Sequence, residues 1–567
     1  MRKNLLTMLC LLLAVSSFAQ PKTNESEKDK AERMQWFKDA KLGIFIHYGI
    51  YAVNGIDESW SFHNGYINYE DYMKQLDGFT AANYDAKQWA SLIENSGAKY
   101  AVLTTKHHDG VALWDSKTDH YTSVNNTPAQ RDIVAPFVEA LRNENLKVGL
   151  YYSLIDWSHP NYPAHLRNEK RYKNDPERWK QFTDFYFAQM NELSSRFNPD
   201  LYWFDGDWEH SAAEWKAAEL REMMLKYNKN IILNSRLRGY GDYDTPEQGA
   251  PINLPSNPYW ELCMTMNDSW GYQHNDHNYK TPYQLLRIFV DCISMGGNLL
   301  LDIGPKADGS IPEPQLEILR EFGRWTSKHE EAIYGTLPGI SGKHYNGATA
   351  LSKDNKTLYL YLDRKPNQAI FVNGLDSKVE QVRVVGSNKS LPFSVNKDLL
   401  SIEMDNDFCD PAITVLAVDL KSSIKLSEPK ANLFDYEIAY ILSDEEWVKK
   451  HKIAVDDMTA PIQAGHYYGT NALSKDKQIL YLMVDGENNG PLVIRGLKNK
   501  INRIWVVGNG TKLDHQIIGK LYWNDVPGIT YIDLPQKVLD KKMTVIAVLL
   551  DGEIDLYRGK GNVIESN

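Results

Sequence analysis

The sequence is short of cysteine, with four in 567 residues. Cys10 falls in an N-terminal apolar run, which leaves Cys263, Cys292 and Cys409, an odd number without any C-x-x-C spacing. That pattern argues against both a disulfide framework and a structural zinc site. Long apolar runs are equally scarce. Leu5 to Val15 is too short to span a bilayer, and no other stretch of about eighteen apolar residues occurs, so no membrane insertion is expected after the N-terminal run is removed. Positive charge is in deficit, 63 Lys plus Arg against 74 Asp plus Glu for a net charge of -11. Such a balance repels phosphate backbones and leaves no electrostatic case for a nucleic-acid partner.

What is present begins with an address. Arg2 and Lys3, the apolar run, and then Ser16, Ser17, Phe18 and Ala19 match the three regions of a secretory signal peptide. Residues 1–19 are therefore expected to be removed and the mature protein to be periplasmic or secreted, with residues 20–31 as a flexible polar leader. Aromatics are abundant, 15 Trp and 33 Tyr. Their faces suit sugar C–H surfaces and their polar edges suit hydroxyl rims, although core packing alone would also use them.

From residue 40 to 305, short β-rich runs alternate with helical stretches. The runs are Leu42 to His47, Tyr100 to Thr105, Lys147 to Tyr152, Leu201 to Asp205, Ile231 to Asn234, Leu262 to Thr265 and Leu299 to Ile303. This alternation predicts parallel βαβ units, and their number and spacing fit an irregular (β/α)8 TIM-like barrel over residues 32–338. Beyond Gly339 the sequence repeats itself at a spacing of 122 residues. His344-Tyr-Asn-Gly347 returns as His466-Tyr-Tyr-Gly469, Ser352-Lys-Asp354 as Ser474-Lys-Asp476, and Val384-Val-Gly386 as Val506-Val-Gly508. Two β-sandwich-like modules, 339–422 and 456–567, are expected, joined by a connecting segment over 423–455. They serve either as support for the barrel or as carbohydrate binders.

In a barrel, polar residues at the C-terminal ends of strands face the active site. Strand one ends at His47, and strand two runs into His107-His108-Asp109. Adjacent strand residues point to opposite faces, so the two imidazoles are poorly placed to share a metal and better suited to bond sugar hydroxyls. Leu201-Tyr-Trp-Phe-Asp205-Gly206 puts a carboxylate at the rim of a ring-lined pocket, where its desolvation calls for a function. Glycoside hydrolysis needs a second acid. Glu247, in a turn-rich loop, and Glu261, on strand six, both qualify, and Arg236 supplies a cation that could keep the nucleophile ionised.

With these residues in hand, the chain resembles the α-L-fucosidases of glycoside hydrolase family 29. The resemblance rests on Gly43-Ile-Phe-Ile-His-Tyr-Gly49, Glu58-Ser-Trp60, Thr105-Lys-His-His-Asp-Gly110, Gly149-Leu-Tyr-Tyr-Ser153 and Trp203-Phe-Asp205-Gly. It continues through Trp260-Glu-Leu-Cys263, Asp268-Ser-Trp-Gly-Tyr272 and Gly297-Asn-Leu-Leu-Leu-Asp-Ile-Gly-Pro305. It implies exo-acting, retaining release of terminal α-L-fucose from fucosylated oligosaccharides or glycoconjugates, with no metal and no cofactor. By position, Asp205 matches the family nucleophile, His47, His107 and His108 its hydroxyl ligands, and Arg236 its sugar-binding arginine. Trp60, Tyr152 and Trp203 fall on its pocket wall, and Trp270 near the leaving group. Glu247 is the expected acid/base, with Glu261 as the alternative. A non-catalytic fucose-binding protein on the same scaffold is the competing reading, and a homo-oligomeric state is left open.

Overall fold

A computed structural model describes residues 25–249, 251–520 and 526–557. The expected signal peptide, residues 1–19, and residues 20–24 of the expected leader lie outside these residues. Seven parallel strands form the first sheet: β1 (Leu42–Ile46), β2 (Tyr100–Lys106), β3 (Lys147–Ser153), β4 (Leu201–Asp205), β5 (Ile232–Leu233), β6 (Glu261–Thr265) and β7 (Asn298–Ile303). Their order is β5-β4-β3-β2-β1-β7-β6. Helices fill most of the crossovers, such as Ala86–Asn95 between β1 and β2, and Pro176–Phe197 between β3 and β4. Asp85 and Asp175 cap these two helices with side-chain oxygens, satisfying amides that would otherwise lack partners.

Among the described residues the crossover from β5 to β6 has no helix. Residues 243–248 instead run between the two strands, making isolated parallel bridges at Asn234↔Tyr243, Asp244↔Trp260 and Glu247↔Cys263. This distorted eighth strand closes the barrel, so Glu247 stands at a strand end rather than in the free loop that its turn-rich sequence predicts. Asp242 fixes the turn that starts it. Its carboxylate pairs with Arg33 and Arg221, each at 2.8 Å, and accepts the Leu233 amide at 2.9 Å.

Alternation along the strands sorts the side chains. Phe45, Tyr100, Val102, Tyr151, Leu201, Trp203, Tyr243, Cys263 and Leu300 pack together inside the barrel. Their neighbours Ile44, Leu103, Leu150, Tyr152, Tyr202 and Phe204 pack outward against the helices. The lower end is plugged by helix Glu27–Ala40, which contributes Met34 and Phe37 to the inner cluster. This helix begins inside the stretch expected to be a flexible leader. Ser26 caps it by accepting the Asp29 amide, and Glu27 and Asp29 place negative charge in its first turn.

Two sandwiches follow. The first stacks a five-stranded sheet, including Thr357–Leu362 and Thr414–Leu420, on the three strands Ile370–Val372, Phe393–Asn396 and Leu399–Ile402. The second pairs a four-stranded sheet with the three strands Leu492–Arg495, His515–Ile518 and Ile529–Ile532. They join through a two-stranded ribbon in which Lys365 pairs with Glu487, its own counterpart at the 122-residue spacing. The connecting segment folds into helices Leu433–Leu442, Glu445–Lys450 and Lys452–Asp457. These show that the repeat starts inside the barrel's last helix, Glu313–His329. Trp325 Nε1 donates to Ile413 O, and Trp447 Nε1 to Met543 O, each at 2.8 Å. His329 and His451 each bond back to the carbonyl of their tryptophan.

Barrel helix Pro282–Ser294 holds both sandwiches through a ladder of alternating charges. Asp363 of the first contacts Arg287 at 3.2 Å, Arg287 contacts Asp291 at 2.7 Å, and Asp291 contacts Arg495 of the second at 3.2 Å. No helix among the described residues is long and apolar enough to cross a membrane.

Close approach inside the barrel requires glycine at Gly43, where a Cβ would lie 2.4 Å from the Tyr100 ring. Gly43→Ala is expected to cost roughly 1–3 kcal/mol by overpacking. Urea unfolding followed by tryptophan fluorescence measures this, and an unchanged midpoint would contradict the packing described.

Candidate active site

Three inward-facing strand ends supply the centre of the site. Asp205 closes β4 and is almost buried. Its Oδ2 accepts a hydrogen bond from Tyr151 Oη at 3.0 Å, and its Oδ1 contacts Arg236 Nη1 at 2.8 Å. The chain turns sharply after it at Gly206, φ +83, where a Cβ would meet Ile155 at 2.6 Å. Only glycine meets both demands. Arg236, just beyond β5, uses its second terminal nitrogen on Glu247, with Nη2 to Oε2 at 2.7 Å. One guanidinium thus spans both acids. Its planar face rests 4.6 Å from the Trp203 ring centroid, and it is buried beside two carboxylates that hold its pKa well above the usual range.

Three histidines line the wall opposite. Each is oriented through Nδ1: His47 by Asp302 at 2.6 Å, His108 by Ser153 Oγ at 2.6 Å, and His107 by Ser59 Oγ. Burial pushes all three imidazoles well below their ordinary pKa, so they stand neutral. Burial likewise pushes the Asp302 carboxyl up. Among the described residues His108 Nε2 is buried without a hydrogen-bond partner, and it lies 3.5 Å from Asp205 Oδ2. A ring nitrogen in that position can take a hydroxyl held beside the carboxylate. Trp60 and Trp208 flank His108 at 5.5 and 6.0 Å, and Trp270 lies 5.1 Å from His47. Among the described residues no group of three or more His, Cys, Asp or Glu side chains could hold a metal ion.

Two residues singled out from the sequence lie elsewhere. Tyr152 faces away from the pocket, with its hydroxyl donating to Gln189 Oε1 at 2.8 Å and receiving Lys106 Nζ at 3.1 Å. The period of two along β3 puts Gly149, Tyr151 and Ser153 inside and Tyr152 outside, so the wall tyrosine is Tyr151. Glu261 begins β6 rather than ending it and is completely buried below the pocket floor. Its oxygens are taken by Tyr100 Oη and, at 3.0 Å, by Trp203 Nε1. Burial raises its pKa to about 7. Placed under the tryptophan that carries Arg236, it is a support rather than a candidate donor.

Sequence reasoning missed Glu58, although it lies beside Trp60. It is buried, accepts the Gly271 amide at 2.5 Å, and is raised by burial to about 7. Its bond links the segment that carries Trp60 to the one that carries Trp270. The signal was the carboxylate in Glu58-Ser-Trp60, next to an aromatic already chosen.

Comparison with known proteins gives a consistent picture. A family model described as Alpha-L-fucosidase matches residues 11–331. The plasma alpha-L-fucosidase of Rattus norvegicus is 34% identical over 376 residues, which cover 59% of this chain and 79% of that protein. Among solved structures, alpha-L-fucosidase isoenzyme 1 from Paenibacillus thiaminolyticus superposes with a TM-score of 0.64 at 34% identity, covering 69% of this chain and all of the other. A GH29 alpha-L-fucosidase from Bacteroides thetaiotaomicron, trapped as a covalent intermediate with 2-fluoro-fucosyl fluoride, superposes with a TM-score of 0.62 at 27% identity. That match covers 69% of this chain and 96% of the other.

Glu261 gives a pH test. Its carboxyl is raised in the fold from an ordinary 4.5 to about 7, so the folded chain binds the proton more tightly than the unfolded one. The resulting stabilisation is present at low pH and is lost as the pH rises through about 7. Glu261→Gln is therefore expected to unfold near the wild-type denaturant midpoint at acidic pH and at a higher midpoint in mildly alkaline buffer. An equal displacement at both pH values would contradict the buried-acid reading.

Proposed function

The chain belongs to the α-L-fucosidase family, and from that premise we propose that it hydrolyses terminal α-L-fucosides by double displacement, with Asp205 as nucleophile and Glu247 as acid/base. The observation that carries this reading is the Arg236 fork, 2.8 Å from one carboxylate and 2.7 Å from the other. Retaining glycosidases work with acids about 5 to 5.5 Å apart, whereas inverting enzymes leave room for a water at roughly 6.5 to 9.5 Å. Two acids sharing one guanidinium suit the shorter range.

In the first step an Asp205 oxygen forms an ester bond to the anomeric carbon as the glycosidic C–O bond breaks. The departing oxygen takes a proton from Glu247. In the second step Glu247 takes a proton from water, the hydroxide forms the new bond to the anomeric carbon, and the Asp205 carboxylate is released with its original charge. The neutral imidazoles of His47, His107 and His108 serve as hydrogen-bonding partners for the sugar hydroxyls. Trp203 forms the floor, Tyr151 part of the wall, and Trp60 and Trp270 the rim. Buried side chains held by second partners keep these groups in place before substrate arrives, which limits the reorganisation needed at the moment of reaction.

The substrates in this reading are fucosylated oligosaccharides or glycoconjugates, attacked from their fucose ends. The signal-like N-terminus supports action in the periplasm or outside the cell.

Asp205→Asn is expected to fold normally and to lose turnover by orders of magnitude. Glu247→Ala is expected to slow hydrolysis of substrates with poor leaving groups by about 10²–10⁴-fold. Added azide should restore its turnover of an activated aryl fucoside and yield fucosyl azide, whereas Glu261→Ala should form none. Rescue of Glu261→Ala alone would move the acid/base role away from Glu247.

A further inference from the structure

The second sandwich touches the segment that carries Glu247, and it does so where it departs from the first. The two copies offer an internal comparison. Gly374 and Gly496 are equivalent at the 122-residue spacing, both have φ +70, and each would bring a Cβ close to a histidine ring, His344 at 3.0 Å and His466 at 3.2 Å. Their remaining neighbours differ. A Cβ on Gly374 would meet Ser427 O at 2.4 Å, whereas one on Gly496 would meet Ile252 Cδ1 of the barrel at 2.3 Å.

Lys397 and Gly519 diverge further. Both occupy the left-handed region, with φ 57 and 75, so this turn accepts a lysine in the first copy. Backbone conformation alone therefore does not account for glycine in the second. Space does: a Cβ on Gly519 would lie 2.5 Å from the carbonyl oxygen of Gln248, the residue after Glu247. The connection that starts there is also longer. Two residues join Phe393–Asn396 to Leu399–Ile402, while ten join His515–Ile518 to Ile529–Ile532. Within the longer connection, Val526 approaches Gly249, where a Cβ would lie 3.6 Å from Val526 Cγ1.

On the barrel side this segment is bonded through Gln248, whose amide donates to Cys263 O at 2.9 Å and whose side-chain nitrogen donates to Thr265 Oγ1 at 3.0 Å. It is held by isolated bridges rather than a full ladder, and residues 251–259 have no regular secondary structure. Arg495, anchored on Asp291, fixes the sandwich side of the contact by donating to Gly465 O from Nε at 2.9 Å and Nη2 at 2.6 Å.

We infer that the second sandwich is a positioning element for the proton donor, clamping Gln248, Gly249 and Ile252 from outside so that Glu247 keeps its place beside Arg236. The inference rests on the reading of Glu247 as acid/base. It assigns the duplicated module a part in the reaction of the barrel, carried by Gly496, Gly519 and Val526 against Gln248, Gly249 and Ile252.

The test exploits leaving groups. A methyl α-L-fucoside needs a proton from the donor, whereas α-L-fucosyl fluoride departs without one. Gly519→Lys, which installs the residue of the first copy, and Ile252→Ala, which removes the contact without backbone strain, are compared with Gly374→Ala as a control in the first sandwich. Both clamp variants are expected to lower kcat/KM for the methyl fucoside by roughly ten- to hundredfold while leaving that for the fluoride within about twofold. The control should change neither by more than its effect on stability. Equal losses on both substrates, or no loss on either, would overturn the inference. If Gly519→Lys does not fold, Ile252→Ala decides. Glu247→Ala run in parallel separates the two claims. Equal loss on both substrates in that variant removes the acid/base reading itself, whereas a selective loss there without one in the clamp variants removes only the clamp.

Discussion

One buried guanidinium holds the catalytic end of the barrel together. Two acidic side chains are brought close in a nearly dry pocket, and the cation between them fixes their spacing. Arg236 cannot surrender its proton under ordinary conditions, and its flat fork presents two donors in parallel, so it contacts Asp205 and Glu247 at once. Lysine, with a single compact charge, could not impose the same geometry. The guanidinium in turn depends on what lies beneath it. Trp203 carries its face, Glu261 accepts the Trp203 indole proton, and Tyr100 accompanies Glu261 at the lower end of β2. A vertical stack of aromatic and acidic groups thus runs from the base of the barrel to the reacting atoms.

Much of this was legible in the sequence because it followed from periodicity and from residue types at strand ends. The strand runs, His47, Asp205 and Arg236 sit where alternation and C-terminal strand ends place them, whereas His107 and His108, which alternation would send to opposite faces, meet on one wall because β2 ends at Lys106. The errors came from phase and from irregularity. Tyr151 and Tyr152 are adjacent and chemically identical, so only the inside–outside register of β3 distinguishes them, and that register is set by neighbours far away in the chain. Glu261 occurs in an aromatic-rich strand as Asp205 does, but at the opposite end. Glu247 lies on a segment with turn-rich composition and no hydrophobic alternation, because three isolated bridges rather than a regular ladder hold it between β5 and β6. Helix Glu27–Ala40 was hidden for a related reason, since its few apolar residues plug a barrel end instead of forming a continuous stripe.

The repeat was visible from matched motifs, but its extent was not. Trp325 and His329 lie in a helix that the barrel pattern claims, while Trp447 and His451 lie in a stretch that reads as a connector. Only their shared contacts, an indole proton on a strand carbonyl and an imidazole on the tryptophan carbonyl, show that the same unit occurs twice. The unit is therefore a helical turn together with a sandwich. One copy uses the barrel's own last helix, and the other brings three short helices in its place. Where the copies differ most, at the hairpin beginning at Lys397 in one and Gly519 in the other, the second faces the barrel segment that follows Glu247.

The ladder of Asp363, Arg287, Asp291 and Arg495 joins three parts of the molecule through charges withdrawn from solvent. Surface ion pairs weaken in brine, because mobile ions screen charges beyond a Debye length of about 8 Å at physiological ionic strength. Ions cannot enter between partners packed inside an interface, so these contacts keep their strength as salinity changes. Losing any one rung would strand an opposite charge in a poorly polarisable interior, a penalty larger than the attraction lost. The barrel and its two appendages accordingly behave as a single mechanical body across environments of very different ionic composition.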